Sequence, residues 1–245
     1  MIVYGLNPVL EALRAGRVRR LKVGTRGDKR TDQAVGLARA AGVEIERVDA
    51  QVLERLSRGG VHQGIAAEVE TPRDYSVQEL VDGASPQAPL LVVLDGVEDP
   101  HNVGAIVRSV DASGGHGVIR QDRHAASLDG IAAKASAGAI AVVKIATVVN
   151  IARALEELKD AGVWTVGFAG EGSEDYDVVD FTLPTAIVVG GEGDGLRRLT
   201  RDRCDRLVRI PMAGTVDSLN VSVAAGVALF EAARQRRHKM AKNRP

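Results

Sequence analysis

The chain has 245 residues, with 32 Lys and Arg balanced by 32 Asp and Glu, so it carries no formal net charge. Hydrophobic residues make up 45% and charged residues 26%, a globular composition that excludes a disordered chain. A single cysteine, Cys204, excludes an internal disulfide and a cysteine-based zinc cluster, and no apolar run approaches the roughly 20 residues of a membrane helix.

Neutrality conceals an uneven distribution. Residues 1–35 hold eight basic and three acidic side chains, residues 228–245 hold six and one, and the stretch between holds 18 and 28. Two basic ends flank an acidic middle, which is compatible with solvated helix faces or with a nucleic-acid surface. Aromatics are 3%, too few for base stacking to dominate any such binding. The N-terminus lacks the basic-then-apolar order of a signal peptide, so a cytoplasmic setting is expected, with no membrane partner.

Residues 1–72 read as a small three-layer α/β unit. Asn7 and Pro8 are expected to cap and open a helix whose apolar face is Val9, Leu10 and Leu13. Leu21–Val23 follows as a strand, residues 32–41 as a helix ended by Gly42, Val43–Ile45 as a strand, residues 51–56 as a helix and residues 64–69 as a strand. Residues 73–89 carry Pro86 and Pro89 and read as a linker with a short helix near residues 77–81.

Residues 90–245 alternate again. Leu90–Leu94 is a continuous apolar run, as in a parallel strand covered on both faces. Helices are expected over residues 103–112, 125–135, 151–161, 196–203 and 219–237. Strands are expected over 117–119, 142–145, 163–168, 186–189 and 206–210.

Three segments could carry chemistry. In LDGVEDPHNVGAIVRS (94–109) a buried strand meets an acidic turn and a helix; Asn102 is placed to cap that helix and Arg108 falls off its apolar face. In AIVVGGEGDGLRRLT (186–200) a strand ends in Gly190, Gly191, Gly193 and Gly195, which permit close backbone approach, with Glu192 projecting from the loop. That spacing is neither a dinucleotide fingerprint nor a P-loop. In the third, residues 206–237, Ser218 is a good helix cap and Asn220 and Ser222 sit among small residues; simple helix packing explains Gly226 well and Asn220 poorly. The five histidines show no metal spacing, and Cys204 is a weak candidate nucleophile.

In order and spacing, HNVGAIVRS, GGEGDGL and SLNVSVAAG resemble the three motifs of the SpoU (TrmH) family of RNA ribose 2′-O-methyltransferases, in the SPOUT superfamily. YGLNPVLEAL and VHQGIAAEV are similar to the substrate-binding domain of the members that modify a guanosine of 23S rRNA. The resemblance implies an N-terminal RNA-binding domain, a catalytic α/β domain over residues 90–245 whose C-terminal part forms a deep trefoil knot, S-adenosylmethionine as cofactor, no metal, and a homodimer with its active site completed across the interface. Carried over by position, Gly190, Gly191, Ile210, Met212, Ser218 and Leu219 would hold the cofactor, and Asn102, Arg108, Glu192 and Asn220 would surround the reacting hydroxyl. A guanidinium stays protonated below about pH 12, so Arg108 is better read as a phosphate and alkoxide stabiliser than as a base. Arg17, Arg19, Arg20, Lys22, Arg26, Lys29 and Arg30 would attract RNA.

Overall fold

A computed structural model describes residues 1–25, 29–69, 73–123, 125–128 and 130–242. The first unit runs β1 (Ile2–Tyr4), α1 (Leu6–Arg14), β2 (Val18–Gly24), α2 (Lys29–Ala40), β3 (Glu44–Val48), α3 (Ala50–Ser57) and β4 (Ile65–Val69). Its four-stranded sheet has the order β1-β4-β2-β3, antiparallel across β4 and parallel between β2 and β3. Leu21, Val23, Ile65 and Ala67 face α1 and α2, whereas Tyr4, Val48 and Ala66 pack with Leu53 of α3 on the opposite face, giving three layers.

The next segment is α4 (Val77–Asp82), closed by a reciprocal capping box between Ser76 and Glu79. Residues 73–89 lie against the second sheet: the Tyr75 N–H donates to the Ile145 carbonyl, and Val77 and Leu80 are buried there. The second unit runs β5 (Leu90–Asp95), α5 (Pro100–Ser113), β6 (Gly117–Gln121), α6 (Ile131–Ala135), β7 (Ile145–Val148), α7 (Ile151–Asp160), β8 (Trp164–Phe168), β9 (Glu174–Asp175), β10 (Thr185–Gly190), α8 (Arg198–Arg203), β11 (Arg206–Arg209) and α9 (Val221–Lys242). Its seven strands are all parallel, in the order β7-β6-β5-β10-β8-β11-β9. Leu90–Asp95 is buried throughout, and the continuous apolar run has the expected cause, with α5 and α9 on one face and α4 and α7 on the other. Burying Val103, Ile106, Val107 and Val110 of α5 contributes about 1.5–3 kcal/mol each before ordering costs.

Helix caps differ from the sequence reading at three places. α1 begins before Asn7: Gly5 is the cap residue, and Gln63 Oε1 supplies the acceptor, taking the Leu6 N–H at 2.9 Å. α5 is capped by Asp99, which accepts the His101 N–H at 2.8 Å, so Asn102 lies one turn inside and is released from capping. α9 starts at Val221, and Asn220 Oδ1 accepts the Ser222 N–H at 2.9 Å; Ser218 donates instead to Asp217 at 3.1 Å. Two other segments are corrected. Arg120 donates to the Ala126 carbonyl at 2.8 Å and holds residues 125–128 irregular, so only Ile131–Ala135 is helical. Val142 and Val143 close a 3-10 turn onto Ala139, which delays the strand to Ile145. Among the described residues no helix is long and apolar enough to cross a membrane.

Candidate active site

The sheet order reverses direction at β5 and β10, and open parallel sheets bind ligands beyond the carboxyl ends of strands at such a point. A cleft of about 440 Å³ opens there, within the usual range for a small-molecule site. Three loops build it: the one leaving β8, the one leaving β10, and the one running from β11 into α9. Gly190, Gly191, Ile210, Met212, Ser218 and Leu219 all line it, together with Glu192 and Asn220.

The first two glycines of the β10 loop are required by backbone contact. A Cβ on Gly190 would lie 2.0 Å from the Gly195 carbonyl carbon, and one on Gly191 would lie 2.2 Å from the Gly96 carbonyl oxygen. The loop therefore folds back on itself and onto the end of β5. Asp95 reinforces the arrangement: its carbonyl accepts the Gly191 N–H and its carboxylate accepts the Arg197 N–H, at 2.9 and 2.8 Å.

One polar chain crosses the mouth of the cleft. Asn102 is buried and donates through Nδ2 to Glu192, with Asp99 Oδ2 at 3.4 Å. Asn220 Nδ2 donates to Asn102 Oδ1 at 3.1 Å. Ser222 donates to Asn220 Oδ1 through both its N–H, at 2.9 Å, and its hydroxyl, at 2.6 Å. Three of the four residues expected around the reacting hydroxyl thus meet, from segments about a hundred positions apart.

Arg108 does not join them. Six residues after Asn102 on α5, it points ~240° further round the axis. It is exposed and does not line the cleft of its own chain.

The basic N-terminal residues divide. Lys22 is buried in the sheet, with Nζ 2.6 Å from Glu46 and 3.2 Å from Glu68. The hydrogen bond to Glu46 raises its pKa, and Lys22 lowers that of Glu46. Its charge is paired within the sheet. Arg20 is paired with Glu44 at 2.9 Å. Arg17 is half-buried and Arg19 exposed. Arg26 and the side chains of Lys29 and Arg30 lie outside the described residues. At the other end, Arg236 donates to the carbonyls of Ala88, Pro89, Phe181 and Leu183 and fastens α9 to the sheet.

Four contributors stand outside the residues the sequence points to. Asp99 was hidden because Asn102 offered an equally good cap. Ser222 stands in the sequence only as a polar residue among small ones. Glu171 and Arg201, paired at 2.7 Å, line the far end of the cleft, yet nothing in sequence distinguishes them from surface charges. Burial pushes the Cys204 thiol up to about 12, which disarms it as a nucleophile. Among the described residues no three His, Cys, Asp or Glu side chains group as metal ligands.

A doubly covered parallel sheet, a glycine-walled cleft at its switch point and an amide–carboxylate chain beside it define an α/β protein with a small-molecule site. Residues 89–230 match the SpoU rRNA methylase family, and residues 2–75 match the RNA 2′-O ribose methyltransferase substrate-binding domain. The chain belongs to this family and is an S-adenosylmethionine-dependent RNA 2′-O-ribose methyltransferase. It is 48% identical over 242 residues to an uncharacterized tRNA/rRNA methyltransferase of Mycolicibacterium gilvum, covering 96% of this chain and 77% of that one. It is 46% identical over 239 residues to the 23S rRNA (guanosine-2′-O-)-methyltransferase RlmB of Yersinia pestis, covering 96% and 97%. The SpoU methyltransferase AviRb of Streptomyces viridochromogenes, solved in complex with AdoMet, superposes with a TM-score of 0.80 at 32% identity, over 97% of this chain and 91% of that one.

Proposed function

We propose that this enzyme methylates the 2′-hydroxyl of a guanosine in 23S rRNA, in the cytoplasm, as a homodimer carrying the family's trefoil knot. The observation that carries the reading is the convergence of Asn102, Glu192 and Asn220 at the mouth of a cleft lined by all six expected cofactor residues. The near-complete coverage of the Yersinia enzyme, substrate-binding domain included, supports the choice of RNA.

The residues present fit S-adenosylmethionine: Ile210, Met212 and Leu219 give apolar lining for a nucleoside, and Glu171, Arg201 and Ser218 give polar lining for the rest. When bound, that cofactor supplies an electrophilic methyl group on a sulfonium. Gly190, Gly191, Ile210 and Leu219 would hold it mainly through backbone groups, beside Met212 and Ser218. Asn102, Asn220 and Glu192 would align the ribose hydroxyl and receive its hydrogen bond, holding it in line with the methyl group.

Arg108 acts as a cation that grips the neighbouring phosphate and stabilises the developing alkoxide. Because it lies outside its own chain's cleft, it would serve the cleft of a second copy. The exposed Val223 and Phe230 of α9 supply an apolar face for that copy, and α9 packs along α5, with Gly226 beside Ser109, the residue next to Arg108. Mapping 2′-O-methyl groups in RNA from cells with and without this protein tests the substrate. Loss of one 23S rRNA guanosine mark is expected; loss of a tRNA mark with 23S rRNA intact overturns the assignment.

A further inference from the structure

The polar chain has a fixed direction, and Ser222 fixes it. A backbone N–H can only donate, so the Asn220 atom facing Ser222 must be the amide oxygen. The Asn220 NH₂ group is then turned to Asn102, whose facing atom must be its oxygen. The Asn102 NH₂ group in turn faces Glu192, and an ionised carboxylate can only accept. One end of the chain is a compulsory donor and the other a compulsory acceptor, so only one orientation of the two amides satisfies every member. The Ser222 hydroxyl adds a second donor, at 2.6 Å, to the oxygen on which the orientation depends.

We propose that Ser222 is a positioning residue for methyl transfer: it locks the Asn220 amide and, through Asn102, sets which Glu192 oxygen is occupied and which is left for the ribose. Ser222 lies outside the cleft lining and touches no reacting atom. It acts only through Asn220, which separates this role from helix packing. The inference rests on the reading that Asn220 and Glu192 meet the ribose hydroxyl.

The test is a double-variant cycle on the full-length enzyme. Single-turnover methyl transfer would be measured with enzyme in excess and RNA and S-adenosylmethionine saturating, so that rates stay readable after large losses. Ser222→Ala is expected to slow transfer about 3–10-fold, the worth of one hydroxyl hydrogen bond with the backbone donor kept. Cofactor Kd and Tm should stay at their wild-type values, and Ser222→Thr, which keeps the hydroxyl, should restore the rate. In an Asn220→Ala background, Ser222→Ala should change nothing further. An unchanged rate in Ser222→Ala, an equal loss in the Asn220→Ala background, or a loss that follows Tm or cofactor Kd would each overturn the proposal. If Asn220→Ala and Glu192→Gln themselves transfer at the wild-type rate, it is the site reading that fails.

Discussion

The two sheets of this protein use charge in opposite ways. In the N-terminal sheet, one face carries Arg20, Lys22, Glu44, Glu46 and Glu68 side by side, and the basic members are paired within the sheet. In the C-terminal sheet the central strands β5 and β10 are almost wholly apolar, and polar groups gather in loops beyond their carboxyl ends. The lesson is that a segment's net charge says little about where charge is offered. The +5 of the first 35 residues reads as an RNA surface, yet Lys22 is neutralised by two glutamates, while the second unit sets Glu192 and Asn220 at one cleft.

The contrast can be broken most sharply at Gly190. Gly190→Ala forces a methyl group into the backbone of Gly195 and Leu196, and cofactor binding by calorimetry should be lost or weakened at least about 100-fold. Next in size, Arg108→Ala should slow methyl transfer about 100-fold while cofactor binding by the same chain is unchanged, because Arg108 does not line that cleft. Arg108→Lys restores charge without the bidentate fork, and only partial recovery is expected. In the first unit, Lys22→Ala leaves two glutamates facing each other. It should cost about 1–3 kcal/mol in urea unfolding and leave RNA affinity and its salt dependence unaltered. Deleting residues 1–72, by contrast, should weaken RNA binding and flatten its salt slope.

A smaller effect is expected of His116. Burial lowers its pKa, with Arg236 adding to the effect, while Nδ1 accepts the Leu90 N–H at 3.0 Å. The folded state therefore resists a proton that the unfolded chain takes up near pH 6.5, so stability should fall as pH drops below about 6.5. Tm measured at pH 5.5 and 7.5 should differ less in His116→Gln than in wild type. Least of all, iodoacetamide should leave Cys204 unmodified in the folded protein at pH 8, since its thiol stays protonated up to about pH 12.

Much of the fold is legible in the sequence wherever a local pattern has one solution. Leu90–Leu94 has no polar position to expose, and the α7 face of Ile151, Ala154, Leu155 and Leu158 repeats with helical period. Cap positions are less legible because neighbouring residues compete. Asp99 and Asn102 are both good caps, and only the tertiary need for Asn102 at Glu192 decides between them. Likewise Gly5 serves as a cap because Gln63, far along the chain, provides the missing acceptor. Strands β1 and β9 are three and two residues long, too short to show a period. At the site, motif resemblance names Asn102, Glu192 and Asn220, but their order of contact, Ser222 at its origin and the absence of Arg108 from it depend on how distant segments fold together.

The most direct test of the central claim is transfer of a labelled methyl group from S-adenosylmethionine to 23S rRNA by wild type and Asn102→Ala, followed by alkaline hydrolysis. Alkali cannot cleave beside a methylated ribose. The account predicts label in one alkali-resistant dinucleotide containing guanosine, reduced about 100-fold by Asn102→Ala at unchanged cofactor affinity. Label released in alkali-sensitive mononucleotides, or full transfer by Asn102→Ala, would contradict it.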